Sequence, residues 1–368
     1  MSQRYDIAII GGGIAGLSVA YFLSRHTANI ALLEQEAQPG YHTSGRSAAM
    51  YIEGYENPVV ADFTRAGRSF FFSPPAGFTD YELLTPRGGL TVAGPGEEAA
   101  LANYCTTWQP FCPELRAISA AECLDHVPGL RQDWLRAGAY DPELYTIDVH
   151  GLMSGFQQGF KRAGGALHTN ARVTGLVRTT QGWRVEFANK AERAELHAGI
   201  VVNAAGAWAD QIAALAGLTA IDLTPMRRTA AIVPAPPDSL SWPLVHTISA
   251  SLYFKPESPG LMLSPQDETP VAAMDAYADD MDVAIAIDRL GSILNHDVKT
   301  VIRQWAGLRT FAPDRHPVVG FDPRASGFFW LAGQGGFGVQ TSPGLGLHAA
   351  ACVMGEPVAS AIDVKRWL

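Results

Sequence analysis

Cysteine is scarce in this chain. The four present in 368 residues, Cys105, Cys112, Cys123 and Cys352, form no C-x-x-C pair and stand at no zinc-like spacing from histidine. That excludes a disulfide-stapled scaffold and argues against a metal site; the four read as reduced, buried small hydrophobes. Charge is sparse too. Charged residues make up 17% of the chain and sum to −9, which argues against non-specific nucleic-acid binding while leaving room for a local basic pocket. Long apolar runs are missing, since nothing approaches the roughly eighteen residues of a membrane span. No basic leader precedes the first apolar strand, which begins within a few residues of Met1. We therefore expect a cytoplasmic protein with no transmembrane segment, no nucleic-acid partner and no metal.

What the chain has instead is apolar and small residues: 47% hydrophobic content and 37 glycines. Its length exceeds one compact core and suits two domains. The organising stretch is YDIAIIGGGIAGLSVAYFLSRHTANIALLE, from Tyr5 to Glu34. Ile7 to Ile10 is short and β-branched enough for a buried parallel strand. Gly11, Gly13 and Gly16 follow in G-x-G-x-x-G spacing, then a helical pattern from Ile14 through Ala15 to about Arg25, then a second apolar run ending in Glu34 and Gln35. Gly11 permits the tight turn, Gly13 lets the backbone approach a pyrophosphate, and Gly16 allows close helix–strand packing. The helix N-terminus offers free N–H groups to phosphates, and Glu34 is placed to accept from ribose hydroxyls. The stretch predicts a dinucleotide site in a βαβ unit.

Further along, residues 81–94 alternate enough to predict a hairpin, and residues 97–125 read as amphipathic helix. Asp148 predicts the N-cap of a helix of about fourteen residues ending at Gly164–Gly165, with short strands at 166–169 and 173–177. Residues 200–210, IVVNAAGAWAD, run from an apolar strand into small residues. From 221 to 305 prolines cluster and short β-type runs replace the βα rhythm, which marks a second, antiparallel domain. Phe328 to Gly346 gives a strand, a glycine-rich turn and a helix start.

Taken in order, the first βαβ unit, the SGRSAA loop (Gly45, Arg46, Ser47, Ala48, Ala49), NAAGAW, WAGLR and QGGFGVQTS resemble the D-amino-acid oxidase and glycine oxidase superfamily of FAD proteins. The D-arginine dehydrogenase type is the nearest in pattern, also through EAQPGYH and PPAGF. The resemblance spans nearly the whole chain. It implies an α/β fold (α+β overall), in which a glutathione-reductase-like FAD-binding Rossmann domain (1–80, 145–220 and 306–368) carries a second, mainly antiparallel β-sheet substrate domain (81–144 and 221–305). It implies non-covalent FAD held by the fingerprint and loop residues above together with Val173, Ala205, Gly206, Trp208, Gly307, Arg309, Gly335, Gly336, Phe337, Gly338, Val339 and Gln340. The implied activity is oxidative deamination of a D-amino acid, a dehydrogenase more than an oxidase, with a separate electron acceptor. A 2-hydroxy-acid dehydrogenase and a flavin subunit of a multi-subunit amine or opine dehydrogenase remain open.

For such chemistry Arg309 is the candidate carboxylate clamp, because a guanidinium binds a carboxylate bidentately. Tyr253, Arg228 and Tyr55 match family residues around the substrate, and Gln340 is expected near the amine. Arg227 would alternate to the other face of its strand. Two departures concern substrate choice: Met50 stands where the resembled type has histidine, and Gly89 where it has a glutamate that pairs with a cationic side chain. Met50, Ile52 and Gly89 thus predict a roomier pocket for a neutral or apolar side chain, since a buried cation needs a counter-charge. Glu53 and Glu82 are the candidates to replace the missing acid.

Overall fold

The computed structural model describes residues 3–189 and 192–368. Its first sheet has eight strands. Gln3–Ile10 lies parallel between Ile30–Leu33 and Glu192–Asn203, and Ala166–His168 extends the parallel edge. Phe328–Ala332 adds parallel to the C-terminal half of Glu192–Asn203. Ala171–Thr179 and Gly182–Asn189 form an antiparallel meander with its N-terminal half. Because strand side chains alternate, Ile7, Ile9 and Leu32 join one core with Leu17, Phe156, Phe160, Leu345 and Ala349 of three helices, Ile14–Leu23, Val149–Arg162 and Gly338–Val353. Tyr5, Ala8, Ile10, Ala31 and Leu33 face the other way, onto Val173, Trp183 and Phe187 of the meander. Both faces are covered, as a parallel sheet requires. Asp148 caps the helix Val149–Arg162, its Oδ1 accepting the Gly151 N–H at 2.8 Å.

The second sheet has nine strands, mainly antiparallel. Its one parallel junction among the described residues joins Leu244–Thr247 to Gly89–Ala93. Alternation again sorts the residues. Leu90, Val92, Val245, Phe254 and Leu263 pack outward beneath Ala286, Leu290 and Ile293 of the helix Asp280–Ile293. Gly89, Thr91, Arg228, Ala230, His246 and Tyr253 point inward, to a cavity between the two sheets. Arg227 turns outward as expected, donating to Asp282 at 2.8 Å and Asp279 at 3.2 Å.

Three expectations need correction. Residues 81–94 are not a hairpin: Leu84–Pro86 pairs with Tyr145–Ile147 in a small third sheet, and Gly89–Ala93 pairs with Ala137–Asp141 in the second. The single connecting turn carries the chain from one sheet to another. Residues 97–125 are not one helix. Glu98–Trp108 ends before Pro110, and a strand, Arg116–Ser119, precedes the helix Ala120–His126, whose start Ser119 and Glu122 fix through a capping box. The strand Arg303–Phe311, carrying WAGLR, pairs with Thr224–Val233 in the second sheet rather than joining the first.

Candidate active site

One cavity of about 850 Å³ runs between the sheets. Its long arm starts at the fingerprint. Gly11 takes φ of 106°, and a Cβ there would strike the Ala204 carbonyl, so only glycine lets the first turn pass under the NAAGAW strand end. The helix behind it has no side-chain cap at Gly13, and Ala15 lines the cavity. Glu34 closes the second strand. Its Oε2 accepts the Gly12 N–H at 2.7 Å and its Oε1 the Glu36 N–H at 2.8 Å. Burial pushes this carboxyl up, against the pull of those two donors. Ser44, which sequence reading passed over, accepts the Ile14 N–H at 3.0 Å and fixes the loop against the helix start.

Of the expected cofactor contacts, Gly11, Gly13, Ile14, Ala15, Glu34, Gln35, Arg46, Ser47, Ala48, Ala49, Val173, Ala205, Gly206, Trp208, Gly307, Arg309, Gly335, Gly336, Gly338, Val339 and Gln340 line this cavity. Gly16, Gly45 and Phe337 do not; they stand one layer behind it. Gly16 lies against the Gly11 carbonyl, a Cβ on Gly45 would stand 2.6 Å from the Gly40 oxygen, and Phe337 packs edge-on to Phe311. The Ser47 hydroxyl, considered for a phosphate, accepts the Ala49 N–H at 3.0 Å. Arg46 reaches away into the second sheet, to the Ala276 and Ala306 carbonyls and to Asp275 at 2.5 Å.

Arg309 lines the same cavity and is half-buried, and its Nη1 donates to the Tyr55 hydroxyl at 3.1 Å. A Cβ on Gly336 would come within 2.7 Å of its Cζ, so the glycine-rich turn leaves the space the guanidinium fills. Burial works against its charge, yet Tyr55, Tyr253 and Glu268 hold its pKa above the ordinary arginine value. Arg228 is buried but is already paired, with the Asp267 carbonyl at 2.7 Å and Glu268 at 3.0 Å. Burial and Arg309 pull its pKa down. Among the described residues no carboxylate lies within 4.0 Å of Arg309. A guanidinium that faces a cavity with no carboxylate beside it is chemically able to hold an anion there.

Tyr253, Met50 and Ile52 line the cavity beside this pair, with Leu144 and Leu244. Gln340 lines it too: both its N–H groups are used, on the Ile52 carbonyl at 2.8 Å and Thr64 at 3.0 Å, and its oxygen accepts the Ile52 N–H at 3.3 Å with a second lone pair left over. These bonds position the Met50–Tyr55 loop. Glu53 and Glu82 do not replace a missing acid. Glu53 turns to Arg68 at 2.6 Å, and Glu82 is exposed. At Gly89 a Cβ would stand 2.5 Å from Leu144 Cδ1, the movable end of a side chain, so a larger residue there would need Leu144 to shift. An acid does line the cavity at this level, on the neighbouring strand: Asp141 is the register partner of Gly89. No sequence signal marked it, nor Tyr104 and Trp108 beside it; Thr91 and His246 follow from strand alternation.

Residues 6–352 match the family described as DAO, FAD dependent oxidoreductase. The chain belongs to this family. It is similar to glycine oxidase of Geobacillus kaustophilus (strain HTA426), 25% identical, the alignment covering 95% of this chain and 93% of that protein. It is also similar to mitochondrial sarcosine dehydrogenase of Mus musculus, 24% identical over 98% of this chain. It spans only 41% of that longer relative. Among solved structures, glycine oxidase of G. kaustophilus superposes with a TM-score of 0.87 at 23% identity, covering all of both chains. Iminodiacetate oxidase from Chelativorans sp. BNC1 superposes at 0.80 and 22%, covering 98% of each. No helix among the described residues is long and apolar enough to cross a membrane.

The cavity fits FAD on its own evidence. A helix start whose N-cap residue Gly13 brings no side chain, a glycine turn no Cβ tolerates and a strand-end carboxylate all line it. Three cavity-lining residues, His42, Gln266 and Gln334, each keep a buried nitrogen without a protein partner, as expected where a ligand supplies one.

Proposed function

We propose that this member of the family oxidises the Cα–N bond of an α-amino acid, D-configured where Cα is a stereocentre, giving an imino acid that water converts to a 2-oxo acid and ammonia. The observation that carries this reading is Arg309: a half-buried cation lining the cavity with, among the described residues, no carboxylate within 4.0 Å. The D-configuration rests on the sequence resemblance alone. Non-covalent FAD, when bound, supplies the hydride acceptor.

The protein's own residues do the rest. Arg309 takes the substrate carboxylate, its orientation held by Tyr55 and by the space at Gly336. Arg228 donates to Glu268, an acid it shares with Arg315, while Arg309 has no carboxylate within 4.0 Å among the described residues, so the substrate carboxylate is placed at Arg309. Tyr253 lines the same part of the cavity and its phenol is within reach of that charge. Met50, Ile52, Leu144 and Leu244 exclude water around the reacting carbon, which strengthens the Arg309 contact. Met50, Ile52 and Gly89 line this cavity beside Leu144, and Asp141 faces it from the strand paired with Gly89.

The names of similar proteins support amine chemistry: a glycine oxidase and a sarcosine dehydrogenase are among them. The test is competition by simple carboxylates. Benzoate or acetate should perturb the flavin spectrum and inhibit competitively, and Arg309→Met should abolish both effects. Carboxylates that bind Arg309→Met as well as the native enzyme overturn the reading.

A further inference from the structure

Amino-acid oxidation at Arg309 leaves part of the cavity wall without a role. Besides Leu144 and Leu244, that wall includes Asp141, Tyr104 and Trp108. The Asp141 side chain is 8% exposed in total, and its Oδ1 accepts the Glu143 N–H at 2.9 Å. Two other acids stand nearby, and both are compensated: Arg68 donates to Glu53 at 2.6 Å and to Glu143 at 2.7 Å. Among the described residues, no lysine or arginine lies within 4.0 Å of Asp141. It is a buried carboxylate at a cavity wall, next to other acids, with no cation of its own.

We propose that Asp141 is a specificity-determining residue that receives a cationic group, an ammonium or guanidinium, at the side-chain end of a basic amino acid. This rests on the reading of Arg309 as carboxylate clamp. Substrate would then be held at two charged ends of opposite sign, Arg309 and Asp141, with the apolar side chains of Leu144 and Leu244 along its methylene stem. Three features of the site favour a cation over a neutral polar group. Isolated burial of an ionised carboxylate is unfavourable, and an incoming cation restores the pairing. Aromatic rings at Tyr104 and Trp108 offer faces that attract an organic cation. The Arg68 guanidinium is already shared between two acids, so it does not compete for Asp141. The position also explains how an acid can serve here although Gly89 carries none: directly paired residues on adjacent strands present their side chains to the same face.

The test uses the FAD-loaded enzyme and ligands that cannot be oxidised. Unbranched ω-amino carboxylates and n-alkyl carboxylates of matched length are titrated in, and the flavin absorbance is read. At the chain length that spans the two ends, the ammonium compound should bind about 10- to 100-fold tighter than its uncharged counterpart, the worth of one charged hydrogen bond. Asp141→Asn keeps an Oδ1 acceptor for Glu143 and should erase that preference without weakening the alkyl carboxylates. In turnover, the same variant should raise KM for a basic amino acid and leave that for norleucine unchanged. Equal or weaker binding of the ammonium series at every length in the native enzyme, with alkyl carboxylates binding well, overturns this inference and leaves the Arg309 reading standing. So does a preference that survives Asp141→Asn. Failure of both series to bind overturns the two together. The native-enzyme comparison decides the matter even if the variant folds poorly.

Discussion

Replacing Arg309 by methionine removes the guanidinium while keeping an unbranched stem of similar bulk. In the native protein Arg309 is half-buried, hydrogen-bonded to Tyr55 at 3.1 Å and, among the described residues, to no carboxylate. A substrate carboxylate would therefore make its charged hydrogen bonds there. Arg228 cannot take over, because Glu268 at 3.0 Å and the Asp267 carbonyl at 2.7 Å already hold it. Breaking one half of a buried hydrogen-bonded charge pair costs about 2–5 kcal/mol. At about 1.4 kcal/mol per tenfold this is a loss of roughly 30- to several-thousand-fold in kcat/KM. Stability should not suffer likewise, since the variant removes a half-buried cation that has no carboxylate beside it. The assay is anaerobic stopped-flow reduction of the flavin at varied amino-acid concentration, with FAD content and Tm measured beside it. Near-native kcat/KM in a variant that holds its FAD would refute the clamp.

Gly336→Ala places a methyl within 2.7–2.8 Å of the Arg309 guanidinium, the movable end of a side chain. It should therefore lower kcat/KM by tenfold or so with little change in Tm, which steady-state kinetics and thermal melts together check. Glu34→Ala should weaken FAD retention on gel filtration, whereas Glu36→Ala should not, because Glu34 lines the cavity and Glu36 pairs with His42 at 3.0 Å; equal losses would contradict the assignment. Heat or acid precipitation should release yellow FAD into the supernatant, since the cofactor is expected to be non-covalent; colour retained in the pellet would contradict that. Burial raises the Asp141 carboxyl above its usual 3.8. The folded state thus holds that proton more tightly than the unfolded chain, and Asp141 destabilises the ligand-free protein as pH rises from about 3.8 through the raised value. Asp141→Asn should therefore have a Tm at or above native near neutral pH, the gap narrowing as pH falls. A gap of opposite sign that widens with pH would contradict the argument.

Much of this was legible in the sequence because it rests on local rules. The fingerprint, the Asp148 cap and the outward turn of Arg227 follow from glycine geometry, capping chemistry and strand period, and the structure shows each. The part of the cavity wall around Asp141 was not legible. Asp141 sits in DPELY, a stretch whose periodicity reads only as a strand end. It reaches the cavity because Ala137–Asp141 pairs with Gly89–Ala93, a non-local contact. The same pairing dissolved the expected hairpin at 81–94, where local alternation was correct and strand partnership was not. Gln340 was legible in part. Its place just past the glycine-rich turn was readable, but the partners of its two N–H groups, Ile52 and Thr64, lie far away in the chain. At Gly89 the sequence shows only that a side chain is missing; that Leu144 stands beside the position is set by packing.

The central claim is that Arg309 clamps the carboxylate of an α-amino acid for oxidation at Cα. Anaerobic mixing of the FAD-loaded enzyme with a panel of D-amino acids, L-amino acids, N-methylated amino acids, 2-hydroxy acids and decarboxylated amines tests it most directly, with flavin absorbance as the readout. The account predicts bleaching by α-amino acids, fastest with D-configured ones, and none by the amines that lack the carboxylate. Bleaching by 2-hydroxy acids alone, or by the decarboxylated amines as fast as by their parent amino acids, would contradict it.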